Sequence, residues 1–366
     1  MFCSLLKPIN DVRMHEKLAK SISVLQGYDI HLIGQNISTK NLNSNFTYHP
    51  ISLNSKGITE KIKAYFKILF IIFRIKPFIF ICTTHELLSI GFFLKHFLGT
   101  KLIYDIQENY PLNYLSSKRK LNIFHQILAL MIKVHQNLFV YYYDHFILAE
   151  KCYLQQLKFI KIKPFTVLEN KSIYSLIYKK KVDLKNVHVL FSGTISEEYG
   201  IFDAVNFVTK WHQHNPGVVL TIIGHVTRKK TFDDLYQRLK NLTWVNFKGQ
   251  LNPVSYEDII ADIENCDVGL MAYKSLASFE NKIPTKLFEY AAFGKFIISS
   301  AEGTWCNIIT EKKLGICCNL SSVTDFMKIE EQLIKSENGN LNIEEFIWGE
   351  REKNQVIKII ISIVGQ

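Results

Sequence analysis

Two side chains three residues apart, Lys286 and Glu289, lie in the stretch NKIPTKLFEYAAFGKFIISS, residues 281–300. An ammonium at a helix start adds to the backbone N–H groups and helix dipole that already favour anions, which makes Lys286 a candidate phosphate ligand. A carboxylate one turn on can accept two hydroxyl hydrogen bonds, so Glu289 is a candidate partner for the 2′ and 3′ hydroxyls of a ribose. The pair could hold a nucleoside diphosphate. The alternative is a solvated ion pair at i, i+3. Elsewhere, His85 lies in CTTHELL at the end of an expected strand, where either a cleft-facing or a structural role is open. No His, Cys and carboxylate cluster has metal-ligand spacing, so no metal is expected. No Gly-x-Ser-x-Gly elbow, Gly-x-Gly-x-x-Gly turn or P-loop occurs, which removes support for hydrolase, dinucleotide and P-loop chemistry.

The elements that must position these groups follow from local signals. Pro284 suits the first turn of a helix and Gly294 the position past its end, giving a helix of about ten residues. At 100° per residue Leu287, Phe288 and Ala291 share a packing side, while Lys286, Glu289, Tyr290 and Phe293 share the open one. Strand-like runs alternate with helical patterns throughout, the signature of parallel sheets covered on both faces. FCSLL, YDIHLIG, PFIFIC, KLIYD, HFILA and FTVLEN are the strands expected in the first half, with helices near 11–26, 58–74, 86–98, 121–140 and 150–159. After a lysine-rich boundary at 170–186, VHVLFSG, VVLTIIG, WVNFKG, CDVGLMAY, KFIISS and LGICCN repeat the alternation, and Ser255 in SYED caps a helix. The expected fold class is α/β, two Rossmann-like doubly wound domains facing a central cleft. Ligands of such sheets bind at the carboxyl ends of the strands, which directs attention to FSGTISEEYG, IIGHVTRKK and MAYKSLASFENKIPTK.

Length and charge agree with two domains and a negatively charged partner. A chain of 366 residues exceeds what one core usually organises. Residues 1–180 carry 24 basic and 10 acidic side chains, residues 181–366 carry 20 and 23, so the halves stand at +14 and −3. Nucleic acid, an anionic membrane or a phosphorylated substrate could meet the basic half, and coding bias toward Lys is the bland alternative. No nucleic-acid recognition motif accompanies the basic residues, so nucleic acid is not expected as a partner. The seven cysteines include no Cys-x-x-Cys pair and are expected to be buried free thiols in a reducing cytoplasm, and MFCSLLKPIND does not read as a signal peptide. The segment 61–84 is the nearest to a membrane span, but Lys67, Arg74, Lys76 and Pro77 break it below the ~18 apolar residues required. As a helix it would place Lys63, Lys67 and Arg74 beside Phe66, Phe70 and Phe73, either for shallow insertion at an anionic surface or as an ordinary half-buried helix.

The stretch PTKLFEYAAFGKFIISS resembles the donor-binding signature of GT-B glycosyltransferases, specifically the retaining family numbered four and its bacterial polysaccharide members. Residues 4–34, 84–111, 189–201, 245–273 and the closing FIWGEREKNQVIKIIISIV are similar to further segments of that family in the same order. The resemblance implies an acceptor-binding domain at 1–172, a donor-binding domain at 186–342 and a C-terminal helix at 343–366 that packs back on the first domain. It implies that Glu289 binds the donor ribose and Lys286 the diphosphate, with Gly193, Thr194, Pro284 and Thr285 completing the cradle and Tyr273 near the base. Arg13, His85 and Asp105 would serve the acceptor side. Three departures stand out. Asn281 occupies the place of the first family glutamate, with Glu280 one residue off register. Thr194 and Tyr199 replace the usual cations of the phosphate loop, leaving Lys286, aided by Arg228, Lys229 or Lys230, to supply positive charge. The motif that ends Asp-x-His-Glu in the family reads Asp105, Ile106, Gln107, Glu108, and Gln107 cannot act as an acid or base. The candidate catalytic residues are therefore Gln107, Glu108 and Asn281. The implied activity is a metal-independent, retaining hexosyltransferase without a cofactor, moving sugar from a nucleoside diphosphate sugar to a lipid-linked glycan acceptor of surface polysaccharide (capsule, O-antigen or lipopolysaccharide), in the cytoplasm or peripheral at the inner face of the plasma membrane. A scaffold subunit that has lost activity and a nucleotide-sugar epimerase of the same fold are the alternatives.

Overall fold

The computed structural model describes residues 1–35, 45–52, 57–116, 121–176, 182–279, 281–301, 303–336 and 342–365. Two compact units result, Met1–Asn170 joined by Trp348–Gln366, and Lys171–Ile347. The first is built on seven parallel strands, β1 (Phe2–Pro8), β2 (Ile30–Gln35), β3 (Phe46–Ile51), β4 (Ile79–Cys82), β5 (Lys101–Ile106), β6 (His145–Leu148) and β7 (Phe165–Val167). Their order is β3-β2-β1-β4-β5-β6-β7, with every neighbouring pair parallel. The direction of winding reverses between β1 and β4, so their carboxyl ends diverge and open a crevice there.

The helices of this unit are α1 (Lys20–Ile22), which continues a widened helical turn over Val12–Ala19, then α2 (Ile58–Ile75), α3 (Leu88–Leu98), α4 (Tyr110–Ser116), α5 (Ile123–Phe139) and α6 (Tyr153–Gln156). Asp11 caps the widened turn by accepting from the Met14 amide at 3.0 Å, as a short acceptor side chain does at a helix start. Ala64, Ile68 and Ile72 of α2 and Leu88, Ile90 and Leu94 of α3 pack with Phe80, Tyr104 and Phe146 of the strands in one core. A last helix, numbered α13 below (Glu350–Val364), belongs to the first unit, packs on α1, and is entered through Trp348, whose Nε1 donates to Ser21 Oγ at 3.2 Å.

The second unit has six parallel strands, β8 (Val187–Ile195), β9 (Val218–Val226), β10 (Val245–Gln250), β11 (Val268–Met271), β12 (Phe296–Ser300) and β13 (Gly315–Cys318), ordered β10-β9-β8-β11-β12-β13. Its helices are α7 (Ile201–His214), α8 (Lys229–Leu239), α9 (Tyr256–Asn265), α10 (Thr285–Ala292), α11 (Trp305–Glu311) and α12 (Phe326–Ser336), before α13 in chain order. α7, α8 and α12 cover one face and α9, α10 and α11 the other. Here the winding reverses between β8 and β11. Ser255 caps α9 as expected, accepting from Asp258 N at 3.1 Å.

Four expectations need correction. β3 was not foreseen: FTYHPI mixes polar residues and a proline, which an edge strand tolerates because only one side is paired. The helix expected at 150–159 is only α6 and a short 3₁₀ turn. Cys306 and Cys317 form a disulfide, because the packing of α11 beside β13 brings together two residues without any local motif. Cys3, Cys82, Cys152 and Cys266 are buried free thiols. Finally, among the described residues the helix long and apolar enough to cross a membrane is not in 61–84 but at Ile123–Tyr142, and most of it lies outside the core.

Candidate functional site

The carboxyl end of β8 and the start of α10 meet at the crevice of the second unit. Gly193 has φ +101°, a left-handed value that L side chains rarely adopt. A Cβ there would stand 2.6 Å from Lys286 Cε, so the glycine is what lets the lysine stem cross the turn. Pro284 is the N-cap of α10 with φ −58°, and Thr285 opens the helix; Leu287 N donates back to Pro284 O at 2.9 Å, and the Thr285 and Lys286 N–H groups are the ones a helix start leaves without intrahelical acceptors. Lys286 Nζ lies 2.5 Å from Glu289 Oε2, and their side chains are 15% and 3% exposed. This is a buried pair, unlike a solvated i, i+3 contact. A second group holds the same carboxylate: Tyr256, at the start of α9, hydrogen-bonds Glu289, and its pKa is pushed up by burial first and by that carboxylate second. Nothing in the sequence spacing pointed to Tyr256.

α10 is buried on both sides, which corrects the expected open face. Tyr290 and Phe293 are inside, with the Tyr290 ring lying against Gly269, where a Cβ would come within 2.3 Å. The Tyr290 hydroxyl bonds Ser192 Oγ at 2.9 Å and donates to Leu190 O at 3.3 Å, fastening α10 to β8. Lys286 and Glu289 thus project from a helix fixed on its sheet, as a precise site requires.

The other residues expected on the donor side are distributed around this centre. Thr194 pairs in register with His225 of β9, whose Nδ1 is buried without a partner. Arg228 is held by Glu198, Nη2 to Oε1 at 3.1 Å. Tyr273 belongs to an aromatic group with Tyr199, Phe279 and Trp305, centroid distances being 5.2 Å to Tyr199 and 5.3 Å to each of the others. Tyr199, at a position where the resembled family carries a cation, packs into that group. Asn281 is exposed at φ +61°, a conformation Asn tolerates better than most residues. Glu280 lies outside the described residues.

In the first unit, Arg13 Nε and Nη2 bind Asp105 in a fork at 2.7–3.0 Å, and Nη1 donates to Leu168 O at 2.7 Å and Asn170 Oδ1 at 2.9 Å. Both members are buried, with every geometric feature of a supporting pair. Asp105 in turn accepts from Gln107 Nε2 at 2.6 Å, Lys7 Nζ donates to Gln107 Oε1, and Tyr153 fastens the Gln107 carbonyl at 2.7 Å. The chain of contacts presents Lys7 and Gln107 at the ends of β1 and β5. Glu108 is exposed and accepts from Asn113 at 3.0 Å. His85 lies after β4 with its ring 4.4 Å from that of Tyr110 and its Nδ1 3.2 Å from Glu86 Oε2. Thr84 Oγ1, His85 Nδ1 and Glu86 Oε2 are buried without hydrogen bonds, a cost that a polar ligand would offset. Burial lowers the His85 pKa, against the opposing charge of Glu86. Among the described residues no group of three or more His, Cys, Asp or Glu is placed to hold a metal.

Residues 176–347 match the family Glycosyl transferases group 1. That group 1 segment contains the Gly193, Lys286, Glu289 and Tyr256 constellation. The whole chain is similar in fold to sucrose-phosphate synthase from Thermosynechococcus elongatus, at 12% identity and a TM-score of 0.70, covering 100% of this chain and 98% of that one. It is also similar to WaaG, a glycosyltransferase involved in lipopolysaccharide biosynthesis, at 12% identity and a TM-score of 0.60, covering 97% and 94%. Anabaena Alr3699/HepE, in a complex with UDP-glucose, aligns at 14% identity and a TM-score of 0.55 over 87% and 86%. No curated protein sequence matches the chain. The likeness is one of fold, and the fold is GT-B: two parallel-sheet, Rossmann-like α/β units.

Proposed function

We propose that the chain is a glycosyltransferase that binds a nucleoside diphosphate sugar in its second unit and transfers the sugar, with retention and without a metal, to a lipid-linked glycan acceptor in surface polysaccharide assembly. The observation that carries this reading is the passage of Lys286 over Gly193 to Glu289 at the start of α10. The lysine and the first-turn N–H groups offer positive charge to a diphosphate, and the carboxylate offers acceptors to a ribose. As the bond from sugar to phosphate breaks, the same charge stabilises the departing nucleotide diphosphate, which is where electrostatic catalysis acts. Because Tyr199 fills the place of a cation with an aromatic ring, Lys286 carries most of that task. Retention and the lipid-linked acceptor rest on the family resemblance, and the acceptor also on the basic first half. Similarity to the group 1 family supports the reaction class, and the UDP-glucose complex of HepE supports the ligand class.

The test is calorimetric titration of UDP, GDP, ADP and dTDP into the wild type and Glu289→Ala, followed by product analysis with the sugar donor of the base that binds. Binding of one nucleotide, lost in the variant, with sugar transferred only when acceptor is present, is the expected result. Conversion of donor without acceptor would favour an epimerase, and absence of any nucleotide binding would favour a scaffold subunit.

A further inference from the structure

Loops that leave the carboxyl ends of β8, β11 and β12 are held together by one aromatic group. Tyr199 comes from the loop before α7, Tyr273 and Phe279 from the connection between β11 and α10, and Trp305 opens α11. The Tyr273 ring lies 5.2 Å from that of Tyr199 and 5.3 Å from those of Phe279 and Trp305, and Tyr199 is 5.0 Å from Phe279. Polar bonds tie the same loops. Ser300 Oγ donates to Tyr273 O at 2.6 Å, Lys274 N to Glu198 O at 3.2 Å, and Trp305 Nε1 to Ser299 Oγ at 2.7 Å. The connection that passes through Tyr273 ends at Pro284 and Lys286, so the aromatic group braces the entry to the helix that carries the anion-binding lysine.

Trp305 is followed by Cys306, whose disulfide to Cys317 joins α11 to β13. β13 is the edge strand, bonded to β12 on one side, so the disulfide closes the margin of the sheet covalently. Both cysteines are partly exposed, within reach of a small thiol. Cys318, next in the chain, packs with the core on the opposite face of the sheet, and burial pushes its thiol up to about 11. It is therefore a poor competitor for either sulfur. The opened state has a partner ready: Cys306 Sγ stands 3.3 Å from Ser300 O, an acceptor for the S–H once the bond is broken. Ser300 is also the residue whose hydroxyl bonds Tyr273, so a change at the sulfur is made beside the aromatic group.

We propose that the Cys306–Cys317 bond is a reversible redox control on the nucleotide site of the second unit. Closed, it pins Trp305 against Tyr273 and keeps the connection from β11 to α10 in order. Opened, it frees the start of α11 and loosens that connection. The co-reactant is a dithiol. One of its thiolates attacks a sulfur of the bond, the other protein sulfur leaves as a thiolate and takes a proton, and the second dithiol sulfur then resolves the mixed disulfide. Two electrons and two protons pass to Cys306 and Cys317 while the dithiol becomes a disulfide, and an oxidised dithiol reverses the step. What the bond controls rests on the nucleotide reading above, whereas how it acts rests on the loops alone.

The test equilibrates the full chain in oxidised and in reduced dithiothreitol, with alkylation and mass spectrometry reading the thiols at 306 and 317. The bond is expected to close and reopen with the circular dichroism unchanged. Titrated with UDP, GDP, ADP and dTDP, the oxidised form should bind one nucleotide about five- to tenfold more tightly than the reduced form, the lower part of the range over which coupled sites influence each other. Cys306→Ser with Cys317→Ser should bind as the reduced form does and ignore the buffer. Hydrogen exchange over residues 273–285 needs no nucleotide, and it should quicken on reduction in wild type alone. The proposal is overturned if the bond does not form in the oxidised buffer, or if exchange over these residues is equal in both buffers. Equal nucleotide affinity of the two forms overturns it too, as does a reduced chain that loses its fold, since the bond would then be structural only. If neither form binds a nucleotide while exchange still responds, the nucleotide reading fails and the control of the loops stands.

Discussion

The sharpest consequence of the site geometry concerns Glu289 and the sugar hydroxyls of the nucleotide. An ionised carboxylate has about four acceptor positions. Lys286 takes one at 2.5 Å and Tyr256 another, and the side chain is 3% exposed. The remaining capacity suits two vicinal hydroxyls. A hydrogen bond to a charged group contributes roughly 1.5–3 kcal/mol, so two that share one carboxylate should couple to it by about 2–3 kcal/mol, or roughly 30- to 150-fold in affinity. The assay is a double-mutant cycle by calorimetry, pairing wild type and Glu289→Ala with the nucleoside diphosphate that binds and its 2′,3′-dideoxy analogue. Removing the carboxylate should weaken the natural nucleotide strongly and the dideoxy analogue little. Glu289→Gln guards against a trivial loss of fold, because it keeps the shape and one acceptor while leaving Lys286 without its counter-charge, and it should fall between the two. Equal losses for both nucleotides would show that Glu289 serves only to neutralise Lys286, and the ribose assignment would fail.

Three further outcomes follow from the structure. Gly193→Ala sets a Cβ 2.6 Å from Lys286 Cε at φ +101°, so nucleotide affinity should fall at least about tenfold and the variant should carry roughly 1–2 kcal/mol of backbone strain, read by titration and by denaturant unfolding. Tyr290→Phe removes the hydroxyl that links α10 to Ser192 and Leu190, and should cost about 1–2 kcal/mol of unfolding stability in denaturant. His145 is held by burial at a pKa of about 4, below its ordinary 6.5, so the unfolded chain takes up the proton first. Stability should therefore fall as pH drops from about 6.5 to about 4 and then level off. Discounted for partial solvent exposure the loss is roughly 1–2 kcal/mol, and it should vanish in His145→Gln unfolded in parallel.

What the sequence made legible and what it hid divide along physical lines. Strands β8, β9, β11 and β12 of the second unit were readable because each is a short, largely buried apolar run, which the inside of a parallel sheet needs, and the half-exposed edge strands β10 and β13 were readable from the alternation that surrounds them. β3 escaped because an edge strand can hold Pro50 and polar residues, so its sequence obeys weaker rules. Lys286 and Glu289 were visible because helix periodicity sets them one turn apart. Tyr256, 33 residues before Glu289 in the chain, was not, since only the crossing of α9 and α10 on one sheet face brings them together. The same holds for Cys306 with Cys317 and for Lys7 with Gln107. Periodicity also erred in one direction. It assigned Tyr290 and Phe293 to an open side by counting angles, whereas Gly269 leaves a recess that the Tyr290 ring fills. A glycine in a buried strand is thus a signal about the residue that leans on it, and Gly193 makes the same point at the site: its missing side chain is occupied by the stem of Lys286, so the phosphate reading depends on the pair and not on the lysine alone.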